Sequence, residues 1–288
     1  EFPESHLKQS EWQTMNSTIT LAVSTIGDKA EGAIELLEAF SDEEGLELIV
    51  LSQKSPNRLI SQIDTIKSEK NIRLIPLDSV GLSKSRNAAI RAATGDYIWI
   101  LDDDVSIEKH HIQVIQSALR DKPDHIHIGQ IECSDCQGLY KDYSRSRKGR
   151  LGILRISSIE ILAPTRKIRE SEVVFNESIG LGTALPSGEE NVFLLDCLNA
   201  GIPFNFIDKP IIRHPCNIEE RQPKHAWKSP AQLQSKGHIA RYVGGFSGLA
   251  LLALWGSRAL IYTRSIKAIF SILKGYSSSP TRAPQDCP

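Results

Sequence analysis

The sequence predicts an α/β protein: an open, mostly parallel, Rossmann-like sheet flanked by helices, with a helical appendage at the C-terminus. Apolar, β-branched segments alternate with segments of helical periodicity at intervals of about 25 residues. The fourth strand-like segment, residues 97–101, is apolar at every position, which is typical of a strand buried on both faces of a parallel sheet. In such a fold, ligands bind beyond the carboxyl ends of the strands.

The predicted elements follow one another in regular order. Four short apolar segments are expected to form strands, over residues 18–24, 46–52, 72–77 and 97–101. Four segments with helical spacing of apolar residues are expected to form helices, over residues 28–40, 59–66, 81–94 and 107–119. After residues 204–207 the strand pattern stops. A polar, irregular segment then precedes a strongly apolar run over 242–262.

The composition indicates a globular protein with a sizeable core. The chain has 288 residues, of which 40% are hydrophobic, and its formal net charge is −1. This balance does not favour nucleic acid as a partner. The five cysteines are odd in number and scattered, which fits reduced thiols in a cytosolic protein better than a disulfide framework. No apolar signal segment precedes Met15, and we expect the native chain to begin there.

Three adjacent carboxylates, Asp102, Asp103 and Asp104, follow the fourth predicted strand. Side chains alternate faces in extended backbone, so Asp102 and Asp104 are expected to point the same way. Two carboxylates on one side form a hard-oxygen site that suits Mn²⁺ or Mg²⁺ and leaves positions for phosphate oxygens. The alternative is a solvated acidic turn that caps the next helix.

The segment that opens the third predicted helix, residues 81–89, is rich in small and hydroxylated residues. A helix N-terminus of this kind can bind phosphate through free N–H groups, and Arg86 can add charge-assisted hydrogen bonds to a diphosphate. The alternative is an ordinary helix start with a small-residue packing face. Further candidate contacts to a nucleotide lie where the first three strands end, at Ser24, Gln53 and Asp78.

A second carboxylate pair, Glu189 and Glu190, opens a later helix whose apolar spacing indicates burial. The helix dipole favours acids at this position, so capping alone accounts for the pair. The functional alternative is a general base that removes the proton of a substrate hydroxyl. His214 ends a short apolar run, and it is a candidate metal ligand if the acidic triplet holds an ion.

Together these segments resemble the family 2 glycosyltransferases of the GT-A fold. The family has a helix with Arg-Asn and small residues, a strand that ends in an Asp-x-Asp motif, and an acidic pair that opens a helix ending in Ala-Gly. Residues 85–90, 95–104 and 188–201 carry this pattern, and the resemblance covers roughly residues 18–214. It implies inverting, metal-dependent transfer of a sugar from a nucleotide-diphosphate donor to a glycan or lipid-linked glycan, in cell-surface polysaccharide synthesis.

The resemblance also implies roles for individual residues. Asp102 and Asp104 look like the Asp-x-Asp pair that meets the donor ribose and the metal, Mn²⁺ or Mg²⁺, with Asp104 as the direct ligand. His214 is similar to a late histidine that completes the metal shell. Glu190 lies where the family has its catalytic Asp, with Glu189 beside it as a supporting or capping residue. The donor-site residues implied are Ser24, Gln53, Asp78, Arg86, Asn87, Asp102 and Asp103.

The chain departs from the family pattern at two strand ends. The first predicted strand is followed by Ser-Thr-Ile-Gly, and the second by Ser-Gln-Lys-Ser where the family has an acidic stretch that holds the base. The nucleotide therefore stays open, with a UDP-sugar as the first candidate. One alternative is a sugar nucleotidyltransferase, although residues 25–28 match its Gly-rich, basic loop poorly. Another is an inactive GT-A binding or scaffold subunit, against which the intact acidic motifs argue.

The expected domain organisation has four parts. These are a cloning-derived or disordered leader over 1–14, a GT-A catalytic domain over 15–216, a helical segment over 217–276 and a disordered tail over 277–288. The uncharged run over 242–257 is shorter than the roughly 20 residues that a membrane span requires. Basic residues follow it, with Trp255 and Tyr262 among them, which suits an interfacial helix on the cytoplasmic face of the cell membrane. The alternative is packing on the catalytic domain or in a homodimer.

Two smaller features remain. Cys133 and Cys136 form a Cys-x-x-Cys pair, but no second pair with zinc-site spacing follows, so zinc is not favoured. A basic cluster over residues 145–150 is typical of a solvated loop. Its alternatives are a lid over the diphosphate or a contact for anionic lipid.

Overall fold

The computed structural model describes residues 17–145, 147–216, 227 and 229–278, and these contain a seven-stranded sheet with helices on both faces. The strands are β1 (Ile19–Ile26), β2 (Leu46–Gln53), β3 (Ile72–Leu77), β4 (Tyr97–Asp102), β5 (Ile126–Cys133), β6 (Ile161–Pro164) and β7 (Phe204–His214). Their order in the sheet is β3-β2-β1-β4-β6-β5-β7. Neighbouring strands are parallel, except that β6 is antiparallel to both β4 and β5. The predicted α/β fold class is thereby confirmed.

Helices connect the strands and extend beyond the sheet. They are α1 (Ala30–Glu38), α2 (Asn57–Ile60), α3 (Ile63–Lys70), α4 (Leu82–Ala92), α5 (Lys109–Asp121), α6 (Gly149–Gly152), α7 (Thr165–Glu170), α8 (Glu189–Asn199), α9 (Pro230–Val243), α10 (Gly245–Thr263) and α11 (Ile266–Ser277). The helix predicted over 59–66 is two short helices, because the chain turns at Ser61 and Gln62 between α2 and α3.

The two faces of the sheet carry separate parts of the core. Side chains alternate along a strand, so Leu21 of β1 packs with Leu37 of α1, whereas Ala22 faces the side that holds Ile90 of α4 and Phe193 of α8. All residues of the predicted strand over 97–101 are buried. This double burial explains why the strand reads as continuously apolar and holds β4 near the middle of the sheet.

The strand order creates a crevice at the carboxyl ends of β1 and β4. From β1 the chain moves outward through β2 and β3, and then returns to place β4 on the other side of β1. Crossovers that leave in opposite directions make a topological switch point, where open α/β sheets bind ligands. In the β1–β4 register, Ser24 pairs with Asp102. The acidic triplet therefore begins at this crevice.

Three features of the sheet were not predicted. No strand was predicted for the residues of β5 or β6, and β6 has only four residues. β7 continues to His214, although its strand pattern was expected to stop at Ile207. This continuation was missed because the apolar pattern is interrupted by Asp208, Lys209 and Pro210. The strand accommodates these residues through a register shift against β5 at the same place.

The C-terminal helices are attached to the domain through α8. Ile239 and Val243 of α9 pack in the same core face as α8, and the Tyr242 hydroxyl donates to the Asp196 carboxylate at 3.0 Å. α9 and α11 cross closely at Gly237 and Gly275, where an added Cβ would lie 1.9 Å from a carbonyl oxygen of the other helix. Glycine at both positions thus permits the crossing.

Helix α10 lies outside this pair. It is the one helix in the described part of the chain that is long and apolar enough to cross a membrane, judged by length and composition alone. Its 19 residues exceed the uncharged run expected from the sequence, because the helix continues past Arg258 to Thr263. Only 17% of its apolar window is buried against the rest of the protein. Most of its surface is therefore uncovered.

The basic cluster over 145–150 is divided: Arg145 and Lys148 are exposed, whereas Arg147 and Arg150 are tied to the rest of the protein. Arg147 is buried, and its Nη1 donates to the Gly129 carbonyl at 2.6 Å. Arg150 Nη1 donates to Asn199 Oδ1 at 2.6 Å, and its Nη2 to the Val243 carbonyl at 3.1 Å. These two arginines tie their loop to β5, α8 and α9, which argues against a mobile lid.

Candidate active site

A cavity of about 400 Å³ opens at the carboxyl ends of β1, β2 and β4. Six of the predicted site residues line it: Ser24, Gln53, Asp102, Asp103, Asp104 and His214. Three residues of the predicted phosphate-binding segment also line it: Gly81, Leu82 and Ser85. The other lining residues have no predicted role: Thr25, Ile26, Lys29, Val80, Leu181 and Gly182. The structure therefore brings the acidic triplet and the late histidine into one cavity.

The three carboxylates of the triplet have different partners. β4 ends at Asp102, and Asp103 and Asp104 lie in a turn, so the alternation expected of a strand does not extend through them. Asp102 accepts a hydrogen bond from Arg86 Nη2 at 3.0 Å and one from the Ser158 hydroxyl at 3.3 Å. These bonds fix the Asp102 carboxylate at the cavity wall.

The Asp103 carboxylate contacts the end of β1 and Lys29, the residue that precedes α1. The carboxylate accepts from the Thr25 hydroxyl at 2.7 Å and from Lys29 Nζ at 3.2 Å. The turn that carries the triplet is thus anchored to the end of β1.

Asp104 and His214 form the pair best placed to hold a cation. His214 Nε2 lies 3.4 Å from an Asp104 carboxylate oxygen, and its Nδ1 lies 2.7 Å from the Pro215 carbonyl. The hydrogen bond to Asp104 raises the pKa of His214, and the same bond lowers the pKa of Asp104. Two backbone hydrogen bonds between Ser106 and Arg213, of 2.9 and 3.0 Å, hold β7 beside the turn after the triplet. This bridge is what brings residues 104 and 214 together.

The donor set fits a divalent cation that keeps open positions. Asp104 offers a carboxylate and His214 an imidazole at the cavity wall, and the Asp102 carboxylate is close by but engaged by Arg86. Mg²⁺ and Mn²⁺ sites of this kind use one or two protein carboxylates and complete their shell with water and substrate phosphates.

Arg86 joins the triplet to the second acidic motif. It is 1% exposed, and its guanidinium contacts Asp102 at 3.0 Å and Glu189 at 2.8 Å. Burial disfavours the charged guanidinium, but the two carboxylates outweigh it and raise the pKa of Arg86. Arg86 does not line the cavity, so its contact with a diphosphate stays a prediction.

Glu190 lies half-buried beside this ion-pair network. Burial, followed by repulsion from Glu189, raises its pKa well above the ordinary carboxyl range. A carboxyl group with a raised pKa is suited to proton transfer near neutral pH. Glu189 is paired with Arg86, and both acids belong to the first turn of α8. The roles of Glu190 as base and Glu189 as supporting residue stay predictions.

The other predicted donor-site residues lie around the cavity or outside it. Gln53 Nε2 donates to the Gly81 carbonyl at 2.8 Å, where the family has an acidic stretch. Asn87 is buried; it donates to the Phe175 carbonyl at 2.9 Å and accepts from the Phe175 N–H at 2.8 Å. Asp78 is exposed and does not line the cavity. Contacts of Asn87 and Asp78 with a donor stay predictions.

The start of α4 is covered by another loop. The Leu82 N–H donates to the Leu181 carbonyl at 3.0 Å, and the Ser83 hydroxyl to the Ile179 carbonyl at 2.6 Å. These contacts favour the packing interpretation of the small residues in α4. Two glycines with positive φ, Gly180 at 111° and Gly182 at 91°, shape the covering loop. This loop was not identified from the sequence, and the two closely spaced glycines are the sequence signal that could have indicated a turn there.

The chain is similar to known sequences and structures. Residues 28–174 match the sequence profile described as Glycosyl transferase family 2. A comparison with curated proteins gives no match.

Several solved structures share the fold. TarS of S. aureus has a TM-score of 0.60 at 13% identity, over 90% of this chain and 55% of TarS, so the chain spans about half of that protein. TarS 1-349 in complex with UDP-GlcNAc has a TM-score of 0.60 at 12% identity, over 90% and 89% of the two chains. Glucosyl-3-phosphoglycerate synthase from Mycobacterium tuberculosis, with Mn²⁺, UDP and phosphoglyceric acid, has 0.53 at 14%, over 85% and 84%. At these identities the similarity shows the fold.

Proposed function

Because the chain belongs to glycosyl transferase family 2 and is a glycosyltransferase, we propose that it transfers a sugar from a nucleotide-diphosphate donor bound in the cavity at the β1–β4 crevice. The observation that carries this proposal is the Asp104–His214 pair in that cavity, next to Asp102. The reaction is inverting, and the acceptor is a glycan or lipid-linked glycan in cell-surface polysaccharide synthesis.

The metal proposed is Mn²⁺ or Mg²⁺, with Asp104 and His214 as its protein ligands. When bound, such an ion stabilises the negative charge of the leaving nucleoside diphosphate. Asp102, whose carboxylate is bonded to Arg86 and Ser158, is proposed to accept a hydrogen bond from the donor ribose. The similar structures that contain Mn²⁺ with UDP, or with GDP-Man in a mannosyltransferase from Pyrobaculum calidifontis, support a divalent cation here.

Glu190 is proposed as the general base. The acceptor hydroxyl must lose its proton as the glycosidic bond forms, and a carboxylate positioned at the site can remove it. The raised pKa of Glu190 makes its ionised form a stronger base for this proton than an ordinary carboxylate. Glu189 is held by Arg86 and therefore acts as a positioning residue.

A UDP-sugar is the first candidate donor. Similar structures contain UDP or UDP-GlcNAc, and one contains GDP-Man. Gln53 occupies the strand end where the family places an acidic stretch, and its amide is paired with Gly81. The nucleobase of the donor is therefore proposed to meet a neutral amide, not a carboxylate, at this end of the cavity. UDP-sugars and GDP-sugars both stay candidates for the test.

The apolar helices α10 and α11 are proposed to lie on the cytoplasmic face of the membrane, where a lipid-linked acceptor is available. Three of their side chains are among the most exposed large apolar groups: Phe246 at 86%, Ile261 at 71% and Phe270 at 62%. Exposed Arg264, Lys267 and Lys274 accompany them. Near an anionic surface each basic residue contributes about 1 kcal/mol. A homodimer that buries the same face is the alternative.

The experiment that tests this function is a donor hydrolysis screen. The protein is incubated with Mn²⁺ and a panel of UDP- and GDP-sugars, and release of the nucleoside diphosphate is measured. We expect one donor to be hydrolysed well above the others, and a UDP-sugar to be that donor. If no nucleotide sugar is hydrolysed or bound with Mn²⁺ or Mg²⁺, the proposed function is wrong.

A further inference from the structure

Three of the cysteines that are scattered in the sequence meet at one point in the structure. Cys133 ends β5, and Cys136 follows it in the next turn. Cys216 lies two residues after the end of β7. The parallel β5–β7 register pairs Cys133 with His214, so the two strands end side by side. Zinc was not favoured from the sequence because the third thiol follows a distant strand and forms no second pair with Cys133 and Cys136.

The geometry involves four side chains. The Cα atoms of Cys136 and Cys216 lie 5.4 and 5.5 Å from the Cα atom of Cys133. The Asp135 carboxylate joins them, and all four ligand atoms lie within 4.8 Å of one another. Asp135 Oδ1 accepts from the Cys133 thiol at 3.1 Å and from the Cys216 N–H at 2.6 Å.

A disulfide does not account for this cluster. A sulfur atom forms one disulfide bond at a time, so any pairing among three cysteines leaves one thiol over. Here Cys133 lies near two other cysteines at similar Cα–Cα distances, and a carboxylate faces the same point. Convergence of three sulfurs and one oxygen on a common centre is instead the arrangement of a four-coordinate metal site.

We propose that Cys133, Cys136, Cys216 and Asp135 bind a structural Zn²⁺ ion. Thiolate-rich, four-ligand sites select zinc among the common divalent ions, with Zn–S bonds of about 2.3 Å in a tetrahedral shell. Four protein ligands leave no open position, which is typical of structural sites. Each thiol loses its proton when the ion binds. This site is separate from the Asp104–His214 pair, which has oxygen and nitrogen ligands only.

Zinc here would cross-link the ends of β5 and β7. Cys133 and Cys216 are 83 residues apart in the chain, so the bond network closes a long loop. The Ser134 N–H, within the zinc-binding turn, donates to the His214 carbonyl at 3.1 Å. The ion therefore holds the strand end that presents His214 to the cavity, and its loss lowers the thermal stability of the protein.

The test measures zinc in the full chain, purified under reducing conditions and dialysed against Zn²⁺ and then metal-free buffer. Elemental analysis is expected to give one zinc per chain in the wild type and in Cys197→Ala, a buried cysteine outside the cluster. Cys133→Ser and Cys216→Ser are expected to lose it. His214→Ala retains it, which separates this ion from a cation in the cavity.

Cobalt substitution provides a readout that does not depend on the stability of the variants. Wild-type protein loaded with Co²⁺ is expected to show sulfur-to-metal charge-transfer absorption and the visible bands of tetrahedral cobalt. Asp135→Asn should weaken zinc retention at least tenfold without removing a thiol. Two results overturn the proposal: reduced wild-type protein that retains no zinc and gives no thiolate–cobalt absorption, or the same zinc content in Cys216→Ser as in the wild type.

Discussion

Arg86 is the side chain on which both acidic motifs depend. It is buried between Asp102, at the end of β4, and Glu189, at the start of α8. The guanidinium lies between the two carboxylates and forms an ion pair with each of them. Sequence spacing identifies all three residues as candidates, but the pairing joins positions 103 residues apart, which no local pattern reveals.

Replacing Arg86 with Met is expected to destabilise the protein strongly. Glu189 would remain buried without its cation, and removal of one partner of a buried ion pair costs about 3–5 kcal/mol. Denaturant unfolding measures this change. Arg91→Met, at an exposed position of the same helix, is the control and should change the free energy of unfolding little. Equal effects of the two substitutions would contradict the role given to Arg86.

Glu190→Gln is expected to lower turnover by about 10²–10⁴, the usual effect of removing a general base, while donor affinity changes little. Glutamine keeps the shape of the side chain but cannot take a proton. Steady-state transfer rates and donor titration separate the two quantities. Should Glu189→Gln give this pattern and Glu190→Gln leave turnover intact, the roles of the two residues are reversed.

The same substitution tests the raised pKa of Glu190 through stability. A carboxyl whose pKa is higher in the folded state favours folding only while it is protonated, so its contribution is lost as pH rises from the ordinary carboxyl range through the raised value. As the pH rises over that interval, we expect the Tm of Glu190→Gln to increase relative to the Tm of the wild type. A difference that is constant with pH would show that Glu190 ionises normally.

At the scale of elements, the sequence predicts the parallel strands β1 to β4, but not β5, the short strand β6, the second half of β7 or the turn after β4. The predicted strand over 97–101 matches β4 within one residue, because burial on both faces leaves a run of apolar side chains. β6 is too short to show a period, and Pro210 within β7 disguises its continuation to His214. The turn through Asp103 and Asp104 follows from tertiary contacts to Thr25 and His214, which no local spacing indicates.

Gly188 positions α8, and hence Glu190, through its backbone. Its φ is 98°, and an added Cβ would lie 2.3 Å from Ile239 Cδ1 of α9. Gly188→Ala is expected to lose the roughly 1–2 kcal/mol of a left-handed residue and to add a clash that shifts α8. Gly201→Ala, with φ of 73° and no atom within 4 Å, isolates the backbone effect. Unfolding and activity should both suffer more in Gly188→Ala; equal losses would contradict this.

At the scale of the whole molecule, α9 couples the apolar C-terminal helices to α8. Ile239 and Val243 belong to the core around Phe193, while α10 faces outward. The sequence predicted an apolar segment after 242 and its basic neighbours, but not the attachment of this segment to α8. That attachment depends on tertiary contacts, the packing of Ile239 and Val243 near Phe193 and the hydrogen bond from Tyr242 to Asp196, which no local spacing indicates.

Membrane association predicts co-flotation with anionic liposomes, weakened by salt. Replacing Phe246, Ile261 and Phe270 together with Ser should abolish it, because these exposed side chains enter the lipid surface. The control replaces Ile60, Leu151 and Val174, which are exposed apolar residues elsewhere on the surface. A protein that ignores liposomes, and whose dimer becomes a monomer in the first variant, would favour the dimer interface.

The central claim is that Asp104 and His214 hold a cation that the donor requires. The most direct test is calorimetric titration with the nucleotide sugar that the hydrolysis screen identifies as the donor, first with Mn²⁺ and then with EDTA. It compares the wild type, Asp104→Ala and the exposed control Asp64→Ala on α3. We predict binding by the wild type and Asp64→Ala with Mn²⁺ only, and none by Asp104→Ala. Full binding in EDTA, or by Asp104→Ala with Mn²⁺, would contradict the account.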